Sequence, residues 1–147
     1  MNLLHPLPAP IADLGLLAAR VLTGTVLIAH GWQKLHTYTL SGTAASFNDM
    51  GVPNARAAAT YAAIAELAGG ALLVIGLLAP VAALLVVLDM AGAFWFVHRD
   101  AGVFVAEGGW ELVAVITAAA IAITAVGYGR VSVDHALIGA LDRRANA

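Results

Sequence analysis

Residues 60–97 read TYAAIAELAGGALLVIGLLAPVAALLVVLDMAGAFWFV and hold two apolar runs, Thr60–Ala79 and Val81–Val97, with Pro80 alone between them. A helix that crosses the hydrocarbon of a bilayer needs about 20 mostly apolar residues, so each run is long enough for one span. A connection as short as Ala79-Pro80 permits only a tight helical hairpin, with Pro80 at the first helical position, where its missing N–H is harmless. Two further runs flank the pair, Leu14–His30 before it and Trp110–Tyr128 after it. The expected fold is therefore all-α: one membrane domain over residues 1–147, a four-transmembrane-helix bundle with spans at 14–30, 60–79, 81–97 and 110–128 and both termini on the same side.

Composition supports this reading and narrows the function. Of the 147 residues 61% are hydrophobic and 11% charged, against about 45–50% and 25% in soluble domains, and the mean hydropathy is +0.89. The formal charge of −2 leaves no basic surplus for a phosphate backbone, which sets nucleic-acid binding aside. Cysteine is absent, which excludes thiol catalysis, iron–sulfur ligation and thiolate zinc sites. Any redox role needs a borrowed cofactor. The first run is read as a permanent span, because Met1–Ala12 has no Lys or Arg and the run itself contains Arg20. Loop charges give no orientation: Arg130, Arg143 and Arg144 on the terminal side balance Lys34, Arg56 and Arg99 on the loop side. Within the long connection from Gly31 to Arg56, Phe47–Pro53 reads as a short helix stopped by Gly51, with Pro53 opening the next. Beyond the fourth span, Ser132, Asp134 and His135 lack the context of an acyl-transfer triad and read as a capped turn into a short C-terminal interfacial helix, Val133–Leu141.

Polar residues inside the spans are costly and carry the functional information. Arg20 lies about 10 Å into span one and Asp89 about 12 Å into span three, both counted from the terminal side, so a buried ion pair is expected. It either fixes helix register or takes part in moving a proton or substrate. Arg20, Thr23, Leu27, His30 and Lys34 recur at spacings of three and four on one helical face. Glu66 falls about 9 Å below the loop-side start of span two, His98 closes span three and Glu111 opens span four. Trp32, Trp95 and Trp110 mark the same boundary. This convergence predicts a polar-headed pocket open to the loop-side interface, with His30 and Glu66 in it. At its depth Glu66 is costly as an anion unless His30 or Lys34 pairs with it, the profile of a residue that binds or moves a proton. No metal is expected, because the Glu-x-x-His spacing of di-metal bundles is missing. Nor is a haem held by His30 and His98, since Asp89 and His98 point to opposite sides of an ideal helix. The ordinary reading of each histidine is a hydrogen bond to a loop carbonyl. Gly69, Gly70, Gly76 and the alanines of 114–125 permit close helix packing.

The string Arg20 … His30-Gly31-Trp32-Gln33-Lys34-Leu35, then Phe47 … Gly51-Val52-Pro53, then Ala65-Glu66-Leu67-Ala68-Gly69-Gly70 … Ile75-Gly76-Leu77 resembles the DoxX family. So do Gly108-Gly109-Trp110-Glu111-Leu112 and Gly127-Tyr128-Gly129-Arg130-Val131-Ser132-Val133-Asp134, which extends the resemblance over 14–134. Two departures are Ala79-Pro80, where relatives often have a polar or basic turn, and Tyr128, where many have proline. The resemblance implies a small four-helix protein of the bacterial inner membrane, with cytoplasmic termini. It further implies either electron transfer into the quinone pool or membership of a complex that handles thiol and superoxide stress. Carried over residue by residue, it points to Arg20, His30, Lys34, Glu66 and, more weakly, His98 as binding positions, with Glu66 and His30 in any proton chemistry. The expected activity is that of a quinone-interacting subunit with soluble redox or stress-response enzymes as partners. A non-catalytic scaffold recruiting such enzymes, and a small transporter or proton path, are the alternatives. Catalysis by the chain itself and self-association are left open.

Overall fold

The computed structural model describes residues 8–146, so residues 1–7 and 147 lie outside the described chain. Among the described residues there are six α-helices and no strand. Helix α1 (Ala9–Trp32) opens with Pro10 in its first turn, where no N–H is needed, and widens at its end into a π-helical turn, Gln33–Thr37. Thr39 turns the chain at φ +60° into α2 (Thr39–Asp49), which Gly51 stops at φ +75°. Helix α3 (Ala55–Ile75) follows Asn54 at φ +50° and is ended by Gly76 at φ +69°. The Leu72 carbonyl accepts from the N–H groups of Gly76 (2.9 Å) and Leu77 (3.0 Å), a left-handed helix stop. Helix α4 (Ala79–Ala93) runs on into a second π-helical turn, Phe94–His98. Helices α5 (Glu111–Val126) and α6 (Val133–Ala145) complete the chain.

Several expected boundaries move, each for a local reason. Span one starts five residues earlier and ends later, because nothing breaks the helix before Pro10 or before the π turn. Span two is displaced towards its start, since Gly76 and not Pro80 ends it. The hairpin is real, but its turn is Gly76-Leu77-Leu78, and Pro80 is the second residue of α4. Pro53 does not open α3. The left-handed Asn54 stands between them.

Helix α1 packs on α3 and α5, and α4 packs on the same two, so the four form a ring in which α1 and α4 sit across from one another; α2 leans on the outside of α3. The α1–α3 contact is a glycine contact. A Cβ on Gly24 would come 2.5 Å from the Gly70 carbonyl oxygen, and one on Gly31 would come 2.5 Å from the Leu67 nitrogen. Gly69 faces α4 instead, at ordinary contact distance from Val86. Lipid is as apolar as leucine, so such close packing, and not hydrophobic burial, holds membrane helices together. Val introduced at Gly70 should therefore force α1 from α3 and cost the protein its single species on size exclusion, whereas Ala at Gly15, which has open space around it, should be silent. Equal behaviour of the two variants would refute this account of the interface.

The ring is filled by Leu27, Leu73, Ala82, Ala83, Val86, Met90, Ile116, Ala120 and Ile123, while Leu22, Ile64, Leu84, Leu88, Val115 and Ile121 point outwards and are exposed. Three stretches are long and apolar enough to cross a membrane: Ala9–Thr37, Ala55–Ile75 and Ala79–His98. Helix α5 is apolar but has 16 residues.

Candidate functional site

The ionisable residues inside the bundle divide between its two ends. At one end Arg20, 1% exposed, meets no carboxylate within salt-bridge distance among the described residues. Its Nη1 donates to the Tyr128 carbonyl (2.7 Å) and its Nη2 to that of Val131. Asp134 is near enough for its charge to act on the guanidinium, but its oxygens accept from the N–H groups of Leu78 (2.9 Å) and Ala79 (3.1 Å), capping α4. The expected Arg20–Asp89 pair is thus not formed, for two physical reasons. The Cα–Cβ bonds of α1 lean towards its N-terminus, so the long Arg20 side chain runs back to that end. Asp89, moreover, stands on the helix across the ring.

The segment 127–134 is folded over this end as a lid of backbone. Gly129 (φ +71°) lies against Leu16, where a Cβ would come 2.7 Å from a Leu16 methyl. Ser132 Oγ donates to the Gly129 carbonyl (2.6 Å) and accepts from His135 N–H (3.1 Å), the cap expected for α6. Arg130 bonds to Asp13 on α1 through both its backbone N–H (3.1 Å) and its guanidinium. Gly76 must be glycine twice over, since its φ is positive and a Cβ would collide with the Arg20 guanidinium.

The other half holds the acidic residues. Lys34, in the π turn of α1, donates from Nζ to Glu66 Oε2 at 2.6 Å, with side-chain exposures of 18% and 7%. Its backbone is fixed from behind, where the Thr43 hydroxyl donates to the Lys34 carbonyl at 3.1 Å. Because α3 starts at Ala55, Glu66 lies about 16 Å along it, near its middle and deeper than the sequence suggested. Lys34 reaches it from the end of α1 by the same lean towards the helix N-terminus that carries Arg20 away from the cluster. Asp89, buried on α4, lies within electrostatic reach of both Glu66 and Lys34. Tyr61 on α3 donates its hydroxyl to the Leu85 carbonyl, one turn before Asp89, at 2.7 Å.

Of the residues singled out from the sequence, Lys34 and Glu66 are brought together and Arg20 is not among them. His30 is half-buried, one turn before Lys34, and forms no side-chain hydrogen bond with the described residues. His98 faces away from the cluster and donates Nδ1–H to the Gly108 carbonyl at 2.6 Å. Glu111 accepts from Val105 N–H (2.7 Å), closing the same loop. Sequence reasoning missed the membership of Asp89 in the Lys34–Glu66 cluster, the Tyr61 contact and both π turns. Asp89 carried a signal, as a carboxylate inside a span, but was assigned the wrong cation.

The expected polar pocket takes a different form. A groove of about 720 Å³ lies between α2 and the start of α3, lined by Ala45, Asn48, Asn54, Arg56 and Thr60 among others. A second, of about 350 Å³, is almost wholly apolar and runs along α1 and α3 past Ile28, Leu35, Ala63, Ile64, Leu67 and Ala71. Neither is lined by His30 or Glu66. Among the described residues no three His, Asp or Glu come together as a metal site.

With this geometry in place, the DoxX family model is found to match residues 15–99, from within α1 to just past the π turn that follows α4. The motifs at 108–112 and 127–134 lie beyond the matched region. Comparison with curated proteins and with solved structures finds no match.

Proposed function

The chain belongs to the DoxX family and is a multi-pass membrane protein, and on that premise we propose that it serves as the quinone-interacting subunit of a redox or oxidative-stress assembly in the bacterial inner membrane. In this reading α5 is a fourth span and the termini share the cytoplasmic side. The observation that supports it best is the enclosed Lys34–Glu66 pair with Asp89 beside it, since ionisable groups inside spans are kept for function. The fit to a quinone is partial but specific. The apolar groove suits an isoprenoid tail, and its residues Leu35 and Leu67 are the chain neighbours of Lys34 and Glu66.

A quinone head, when bound, supplies two-electron carrier chemistry that also takes up two protons. The electrons come from a soluble partner, because the chain has no cysteine or other redox-active side-chain set. Lys34 keeps N–H donors beyond the one given to Glu66 and can bond a ring carbonyl, and Glu66 offers a carboxylate for proton exchange. His30, one turn along the same face, is a second donor. Arg20 is at the far end and takes no part.

Titrating the protein in nanodiscs with a short-chain ubiquinone, followed by tryptophan fluorescence, should give saturable binding that Lys34→Met and Glu66→Gln weaken. In an assembly that turns over quinone, Glu66→Gln should lower the rate by about 10²-fold, the usual scale of lost acid–base transfer. No saturable binding would overturn the reading. The scaffold alternative has an observation of its own: Arg20 and Lys34 both have their partners within the protein, as groups that only fix the fold would. It predicts normal recruitment of partner enzymes by the Glu66→Gln protein.

A further inference from the structure

The Lys34 half of the bundle encloses two carboxylates and one ammonium, and the ammonium is already taken. Glu66 has it at 2.6 Å. Asp89, 8% exposed, has no cation within salt-bridge distance and no side-chain hydrogen bond among the described residues. The neighbouring elements bring few polar groups towards it. From α3, Glu66 is bound to Lys34, and the Tyr61 hydroxyl is spent on the Leu85 carbonyl. From the end of α1, Lys34 is the one charge that acts on Asp89, and His30, half-buried one turn earlier, has no side-chain hydrogen bond among the described residues. From α5 the packing face is Val113, Ile116, Ala120 and Ile123, while Glu111 is bound to the Val105 N–H. A carboxylate buried among helices with neither donor nor cation is costly as an anion. A single proton removes that cost without moving an atom of the backbone.

We propose that Asp89 is a proton-binding site, in which the enclosed Lys34–Glu66–Asp89 cluster carries one exchangeable proton on the Asp89 carboxyl. The step is a simple transfer: an O–H bond of hydronium breaks, an O–H bond forms on one Asp89 oxygen, water leaves and no electron moves. The cluster passes from one net negative charge to none. Lys34 governs release, for it serves whichever carboxylate is ionised. Protonation of Glu66 frees the ammonium for Asp89, so the proton can shift between the two acids while the charge of the cluster stays constant. The site extends the proposed function by naming the group that stores the proton, yet it does not depend on quinone binding, and its test uses none.

That test is infrared difference spectroscopy of the full chain in nanodiscs, stepped from mildly acidic to alkaline pH. The wild-type protein should show the carbonyl stretch of a protonated carboxyl that vanishes on alkalinisation. The band should shift when aspartate, and not glutamate, is labelled with carbon-13. It should be missing in Asp89→Asn, and in Glu66→Gln, where the freed Lys34 ammonium favours the Asp89 anion, it should vanish at a lower pH than in the wild type. Since the isotope experiment is done on the wild-type chain, it decides the matter even where a variant fails to fold. The linkage has a definite sign. A group protonated in the folded state and ionised in the unfolded one stabilises at low pH, and that contribution is lost as pH rises. Wild-type thermal stability should therefore fall towards alkaline pH more steeply than that of Asp89→Asn. A band that follows glutamate labelling, a band that survives in Asp89→Asn, or no protonated carboxyl at all would each overturn the proposal.

Discussion

Replacing Arg20 by methionine is expected to destabilise the folded protein by about 3–5 kcal/mol, measured by unfolding in mixed micelles, while Asp89→Asn leaves this end of the molecule unchanged. The figure follows from the partners. Two charge-assisted hydrogen bonds at about 1.5–3 kcal/mol each are lost, and the Tyr128 and Val131 carbonyls are left without a donor. Methionine keeps the apolar stem, so packing changes little. Gly76→Ala attacks the same contact from the opposite side, through a collision with the guanidinium and a left-handed backbone that alanine resists by about 1–2 kcal/mol. If both act on one contact, the double variant Arg20→Met/Gly76→Ala should lose clearly less than the sum of the singles. Strict additivity would show that the contact is not shared. A large effect of Asp89→Asn on the docking of residues 127–134 would restore the abandoned Arg20–Asp89 pair.

The second large effect is expected at Lys34. Lys34→Met leaves the Glu66 carboxylate enclosed without its cation, which in buried pairs costs about 3–5 kcal/mol. Adding Glu66→Gln to that variant removes the orphaned charge and should recover most of the loss, because an apolar and amide replacement of a buried pair is often close to neutral. The recovery is the diagnostic part. A double variant no more stable than Lys34→Met would mean that the lysine acts through the π turn and Thr43, and not through Glu66.

The sequence made the spans legible because hydropathy integrates over many residues, and a bilayer tolerates little else. It also made Gly51 and Ser132 legible as helix stop and helix cap, since those roles are local. The pairing of charges was not legible. Helical rise locates a Cα, but Arg20 and Lys34 are long side chains that act a turn away from their own backbones, and both reach towards the N-terminus of α1. Arg20 and Asp89 were matched by depth alone, with no knowledge of which helices adjoin, and the ring order places them on opposite members. The bond from Asp13 to Arg130 spans almost the whole chain and has no local signature. The lid formed by residues 127–134 closes on Arg20 through its own carbonyl oxygens, which every residue carries and which a sequence therefore cannot advertise.

That lid makes the two ends of the bundle mechanically unequal. Carbonyl oxygens do not titrate and are not displaced by salt, so the bonds from Arg20 to Tyr128 and Val131 are insensitive to pH and ionic strength, although the Arg130–Asp13 pair and the Asp134 cap beside them are carboxylate contacts. The opposite end is tied by an ion pair beside a spare carboxylate and by two widened helical turns. The contact between helices that carries charge on both sides, Lys34 to Glu66, therefore lies at one end only of the α1–α3 seam. A spin-label pair at that end should broaden with pH, and a pair near Gly76 should report one fixed distance throughout.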